Sequence, residues 1–86
     1  MSYEIFFTTK AEKQLTRLAH TDVKKVIQKV GTLTVPLPQN LDIRKMVNTP
    51  NFYRLRIGKV RVLFEVDDKT QEIWIRKIKY RGAVYK

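Results

Sequence analysis

Cysteine is absent from this chain, and histidine occurs once, at His20. The first absence excludes disulfides and thiolate metal sites, and the second leaves no histidine cluster to hold a metal. Neither a metal nor a cofactor is expected. Without such staples, a chain of 86 residues depends on its hydrophobic core or on a partner for stability. No apolar run is long enough to span a membrane. The start Met1-Ser2-Tyr3-Glu4 also lacks the basic and apolar stretches of a secretory signal, so a cytoplasmic protein with no membrane partner is expected. Repeats and low-complexity segments are missing too. The 43% hydrophobic content is that of a folded chain, and the length allows one domain, residues 1–86, with no second core.

Acid is the last scarcity. Eight Asp and Glu stand against eighteen Lys and Arg, a formal net charge of +10. Residues 1–40 carry six basic and three acidic groups, whereas residues 41–86 carry twelve and five, so the excess sits in the second half. From Arg76 to Lys86 there are five basic residues and no acid. Such asymmetry favours a polyanionic partner, nucleic acid first.

Tyr53 to Val66 reads as two strands joined at Gly58-Lys59, with glycine supplying positive φ without steric cost. Side chains alternate faces along a strand. Tyr53, Leu55 and Ile57 therefore share one face with Val60, Val62, Phe64 and Val66 across the turn. Arg54, Arg56 and Arg61 fall together on the other. Three guanidinium groups on one small patch repel each other unless an anion sits among them. A structural alternative is pairing of Arg54 or Arg61 with Glu65, Asp67 or Asp68.

Around this hairpin, Tyr3–Thr8 alternates as a first strand. Thr9 and Glu12 fit a capping box, and Ala11, Leu15 and Leu18 make the apolar stripe of a helix running to about Ala19. Thr21 or Asp22 can cap a second helix, whose Val23, Val26, Ile27, Val30 and Leu33 repeat at helical spacing. His20 reads as a surface residue at its end. Pro36 and Pro38 make an extended connector. Leu41–Asn51 is open between a ragged strand and a helical turn, with Met46 as core filler and Arg44 and Lys45 adding charge. Asp67–Thr70 turns the chain into a last strand, Ile73–Tyr80, whose broken alternation admits a bulge. Trp74 reads as core. The order β-α-α-β-β-β implies an α+β fold: an antiparallel sheet with a helical hairpin on one face and the other free for a ligand. The tail beyond the last strand brings Arg81 and Tyr85 toward the hairpin arginines. Arginine binds phosphate bidentately and tyrosine stacks on bases, so the surface reads as an RNA groove.

The runs Tyr53-Arg54-Leu55-Arg56-Ile57-Gly58, Val60–Val66, Ile78-Lys79-Tyr80-Arg81 and Val84-Tyr85 resemble the RelE/ParE superfamily of bacterial and archaeal toxins. The helix pair and the length agree, so the resemblance covers essentially the whole chain. The hairpin pattern alone does not separate RelE-like ribonucleases from ParE-like gyrase inhibitors. The filled positions Arg54, Arg56, Arg61, Arg81 and Tyr85 favour the ribonuclease branch. That branch implies a toxin that enters the ribosomal A site and cleaves mRNA by attack of a ribose 2′-hydroxyl on the adjacent phosphate. In this reading Arg61 and Arg81 clamp the phosphate and Tyr85 orients a base. Arg44, Lys45, Arg76, Lys79, Tyr80 and Lys86 extend the RNA surface. The implied partners are the ribosome with its mRNA and a RelB-like antitoxin bearing an acidic or amphipathic helical segment. Operator DNA would be reached, if at all, through the antitoxin. The alternatives are a ParE-like protein that inhibits gyrase by binding, and a catalytically weak RNA-binding relative.

One feature of the pattern leaves the proton acceptor open. Arg54 and Arg56 stand where relatives carry lysines, and Tyr80 where some carry histidine. A guanidinium, which keeps its proton across the physiological range, is a poor base. Orientation and charge, Tyr80 or Tyr85, and the carboxylate of Glu65 all stay in play, with Glu65 equally readable as a local partner for arginine.

Overall fold

The structure, a computed structural model, describes residues 3–81. Its elements are β1 (Glu4–Phe7), α1 (Thr9–Thr16), α2 (His20–Val30), β2 (Asp42–Lys45), β3 (Phe52–Ile57), β4 (Val60–Asp67) and β5 (Glu72–Tyr80). The strands form one sheet in the order β1-β5-β4-β3-β2. Both helices cover one face, in agreement with the expected α+β class. No described helix is long and apolar enough to cross a membrane.

The central hairpin follows its alternation. Leu55, Ile57, Val60, Val62, Phe64 and Val66 are all buried beneath the helices, and Tyr53 stacks on Phe64 with ring centroids 5.6 Å apart. Gly58 turns the chain at φ +56°, where a side chain would be strained. From the helices come Ala11, Leu18, Val26 and Val30, and from β5 come Ile73, Ile75 and Ile78. Ile27, expected on the apolar stripe, is instead 54% exposed.

Two features of the sheet differ from the sequence reading. The stretch left open between strand and helical turn is a strand, β2, antiparallel to β3 with Ile43 opposite Leu55 and Arg44 opposite Arg54. Asn48 and Asn51, both at positive φ, make the turn between them; asparagine tolerates that conformation. The sheet is mixed rather than antiparallel, because β1 lies parallel to β5 with Phe6 opposite Trp74. Alternation within β1 sets which face each residue takes, but not the direction of the neighbour it meets.

The helix ends are also shifted. Thr8, not Thr9, caps α1, its hydroxyl accepting the Ala11 N–H at 3.1 Å. The helix closes at Thr16 with Arg17 as its C-cap, short of Ala19. Neither Thr21 nor Asp22 caps α2; Ala19 is its N-cap and has no side-chain oxygen to offer. Tyr80 supplies what is missing. Its hydroxyl accepts the Ala19 N–H and donates to the Asp22 carboxylate, both at 2.8 Å. This is a capping box in which a hydroxyl from β5 stands between the usual two partners.

Candidate active site

Pairing of β3 with β4 sets Arg56 directly opposite Arg61, and Arg54 opposite Leu63. β2 adds Arg44 beside Arg54. On the other side, β5 brings Lys79 opposite Arg61 and Lys77 opposite Leu63. The hairpin arginines expected to converge therefore do so, on the face away from the helices. Between them lies a shallow depression of about 190 Å³ lined by Met46, Arg54, Arg61, Leu63, Lys77 and Lys79. Met46 thus lies on the open face rather than filling the core, because β2 and its turn close that side of the depression.

The charges here are poorly neutralised by the protein itself. Glu65 pairs with Arg76, at 2.6 Å from Nη2, and not with Arg54 or Arg61. Asp67 turns its carboxylate to the N–H groups of Lys69 and Thr70. Asp68 accepts the Tyr3 phenol. Among the described residues, only Asp42 approaches the cluster, 3.8 Å from Arg56 Nε, a loose and largely solvated pair. Arg61 Nε is buried and has no hydrogen-bond partner among the described residues. A buried donor of this kind carries a desolvation cost that an incoming acceptor removes.

The lysines on β5 owe their position to a bulge. Lys77 pairs with Leu63 and Ile75 with Phe64, leaving Arg76 as the extra residue. By strict alternation Lys77 would share a face with Ile73 and Ile75. After the extra residue, Ile78 and Tyr80 take the helix side, while Lys77 and Lys79 take the open one. The signal was present in the sequence as two apolar pairs, Ile73/Ile75 and Ile78/Tyr80, out of phase by one residue. Lys77, Leu63 and Asp42 had not been singled out from the sequence.

Other expected site residues distribute unevenly. Lys45 lies opposite Tyr53, on the register of the helix-side set, and is exposed at the outer strand. Arg76 stands over Trp74, 5.9 Å from the ring centroid, in addition to its pairing with Glu65. Trp74 itself is not core: it stacks on Phe6 at 4.9 Å on the open face and donates its Nε1–H to Glu72. Tyr80 is turned toward the helices and occupied there, so it does not belong to the basic face. Arg81 follows β5, exposed, its N–H donating to the Lys59 carbonyl at 2.7 Å beside the hairpin turn. Tyr85 and Lys86 lie outside the described residues.

Comparison with known proteins bears on this arrangement. The family described as the ParE toxin of type II toxin–antitoxin system, parDE, matches residues 5–85. The RelE1 protein of Methanocaldococcus jannaschii is 34% identical over 88 residues, covering 100% of this chain and 98% of the relative. The archaeal RelE–RelB complex from Pyrococcus horikoshii contains a chain of the same fold, with a TM-score of 0.81 and 29% identity over 96% of this chain and 99% of that one. The Escherichia coli RelE R81A/R83A mutant in the free state shares the fold at 18% identity, with a TM-score of 0.79 over 98% of this chain and 88% of that one. Sequence match and sheet architecture agree: the chain belongs to the RelE/ParE superfamily of toxins from type II toxin–antitoxin systems.

Proposed function

We propose that this protein is a ribosome-dependent endoribonuclease that cuts mRNA in the A site and so halts translation. The observation that carries the reading is the buried, unpartnered Nε of Arg61 in a depression ringed by Arg54, Lys77 and Lys79. Such a site suits a phosphodiester held at the moment its charge increases. In the proposed reaction the 2′-oxygen attacks the adjacent phosphorus, the bond to the 5′-oxygen breaks, and a 2′,3′-cyclic phosphate and a free 5′-hydroxyl result. Arg61 and Arg54 bind the non-bridging oxygens, with Arg56 beside them and Arg81 entering from the end of β5. Tyr85 orients the neighbouring base. Lys79, opposite Arg61, adds a further cation on that phosphate, and Arg44 and Lys86 hold the flanking backbone. Fixed donors of this sort act chiefly on the charge that develops in the transition state.

The same charge defines the partner that would silence the protein. The solved neighbours include RelE–RelB complexes, and an antitoxin with an acidic or amphipathic helical segment would suit this basic face. Such a pair would act in the cytoplasm, where ribosomes are met.

A second reading has its own support. The family description that matches this chain is that of ParE, and a ParE-like protein would inhibit gyrase by binding alone. Primer extension on a defined mRNA in a purified translation reaction separates the two. Cuts at A-site codons that require ribosomes, and that fall about 10²–10³-fold in Arg61→Ala, are expected. Arg81→Ala and Tyr85→Phe should weaken them as well. Intact message together with inhibited supercoiling would establish the gyrase reading instead.

A further inference from the structure

The proposed cleavage needs a group to take the 2′-hydroxyl proton, and the arginines of the hairpin are poorly suited to it. A guanidinium holds its proton at any physiological pH. Of the two carboxylates of β4 on the open face, Asp67 is taken up by the N–H groups of Lys69 and Thr70, and Glu65 is engaged by Arg76 through both Nε and Nη2. Tyr80 is committed to Ala19 and Asp22 on the helix side. Apart from the two arginines, the titratable groups lining the depression are Lys77 and Lys79, whose amines, unlike a guanidinium, can give up a proton and act as a base.

The two lysines differ in where they stand. Lys79 faces Arg61 directly, in the position of a further cation on the bound phosphate. Lys77 lies one cross-strand step along, opposite the apolar side chain of Leu63, with Arg54 facing it from across the depression. It is therefore beside the phosphate-binding arginine rather than on top of it, where a neighbouring ribose hydroxyl would lie. The bulge at Arg76 is what turns Lys77 into the depression, and bulges commonly re-aim a side chain beside an active site. The same extra residue is free to reach Glu65, which removes the competing carboxylate.

We infer that Lys77 is the general base of this enzyme, its free amine accepting the proton of the attacking 2′-hydroxyl while Arg61 and Arg54 hold the phosphate. The inference rests on the nuclease reading above. As the 2′-oxygen bonds to phosphorus, its proton passes to Lys77 Nζ, giving an ammonium. The 5′-oxygen leaves with its bonding electron pair and takes a proton from water; the ammonium returns its own to solvent. No oxidant or further reactant is needed. The charged groups around Lys77 are Arg54 on β3, Arg61 on β4, Lys79 on β5, and the Arg76–Glu65 pair beyond Leu63.

The decisive variant is Lys77→Arg, which keeps the charge and much of the reach but not the basicity. Single-turnover cleavage by programmed ribosomes is measured across pH 6–9, alongside affinity for the same ribosomes carrying a 2′-deoxy A-site codon. General-base catalysis is worth roughly 10²–10⁴-fold. Lys77→Arg should therefore lose about that much cleavage at neutral pH, bind the deoxy complex within about threefold of wild type, and lose the rise of rate with pH. Lys77→Met should lose cleavage equally, and circular dichroism melting of both variants checks that they fold. Wild-type rates in Lys77→Arg with activity lost in Arg61→Ala would overturn the role of Lys77 and leave the nuclease standing. Parallel loss of binding and cleavage would make Lys77 a phosphate contact, not a base. No cutting by the wild type would remove the nuclease reading and this inference with it.

Discussion

Replacing Tyr80 by Phe should separate folding from chemistry, because the structure assigns its hydroxyl to the helices. That oxygen donates to Asp22 Oδ2 and accepts from the Ala19 N–H, each at 2.8 Å. A hydrogen bond to a charged group contributes about 1.5–3 kcal/mol, a neutral one about 0.5–1.5 kcal/mol. Both figures need discounting here. The Ala19 bond is exposed, so water takes over the N–H, and half-buried Asp22 recovers part of its hydration. A net loss of about 1–1.5 kcal/mol remains. For a domain of this size each kcal/mol moves the melting temperature by about 4–8 °C. Tyr80→Phe should thus melt about 5–10 °C lower, with cleavage by the variant unchanged at temperatures where it is folded. Differential scanning calorimetry and primer extension on the same preparation are the assays. An unchanged melting temperature with cleavage abolished would refute the argument and return Tyr80 to the RNA.

Two further perturbations probe the frame around the site. Gln14 on α1 accepts the Ile78 N–H at 2.8 Å where β1 has ended and cannot pair with β5. Gln14→Leu leaves that half-buried donor unmet and should cost about 1–3 kcal/mol in urea unfolding, with faster hydrogen exchange at the Ile78 amide. Tyr3 tests the β4–β5 turn by pH. Its hydrogen bond to Asp68, then desolvation and the charges of Asp68 and Asp67, raise its pKa above the ordinary 10.0. The folded phenol holds its proton more tightly than the unfolded one, so the contribution is whole below pH 10 and is lost as pH rises through the folded value. Asp68→Asn should lower the onset of tyrosinate absorbance; an unaltered titration would show that the bond does not form in solution.

Local periodicity was enough to determine much of this protein. The alternation from Tyr53 to Val66 and a glycine at the turn specify a hairpin whose apolar face must be buried, and that alone brings Arg54, Arg56 and Arg61 to the opposite face. Spacings of three and four along Val23, Val26 and Val30 likewise specify a helix, because burial of one stripe is a property of neighbouring residues. What tertiary structure decided are the choices between partners distant in the chain. β1 could have met β5 in either direction, since face alternation is the same in both. β2 exists because β3 offers an open edge, not because Asp42–Lys45 is strongly strand-like. Tyr80 could equally have been a ligand residue; the unfilled end of α2 claimed its hydroxyl, at a separation of 61 residues from Ala19. The site shows the same division. Its arginines follow from the strand period, whereas Lys77 enters only through the extra residue at Arg76, which the packing of Ile75 and Ile78 on one face requires.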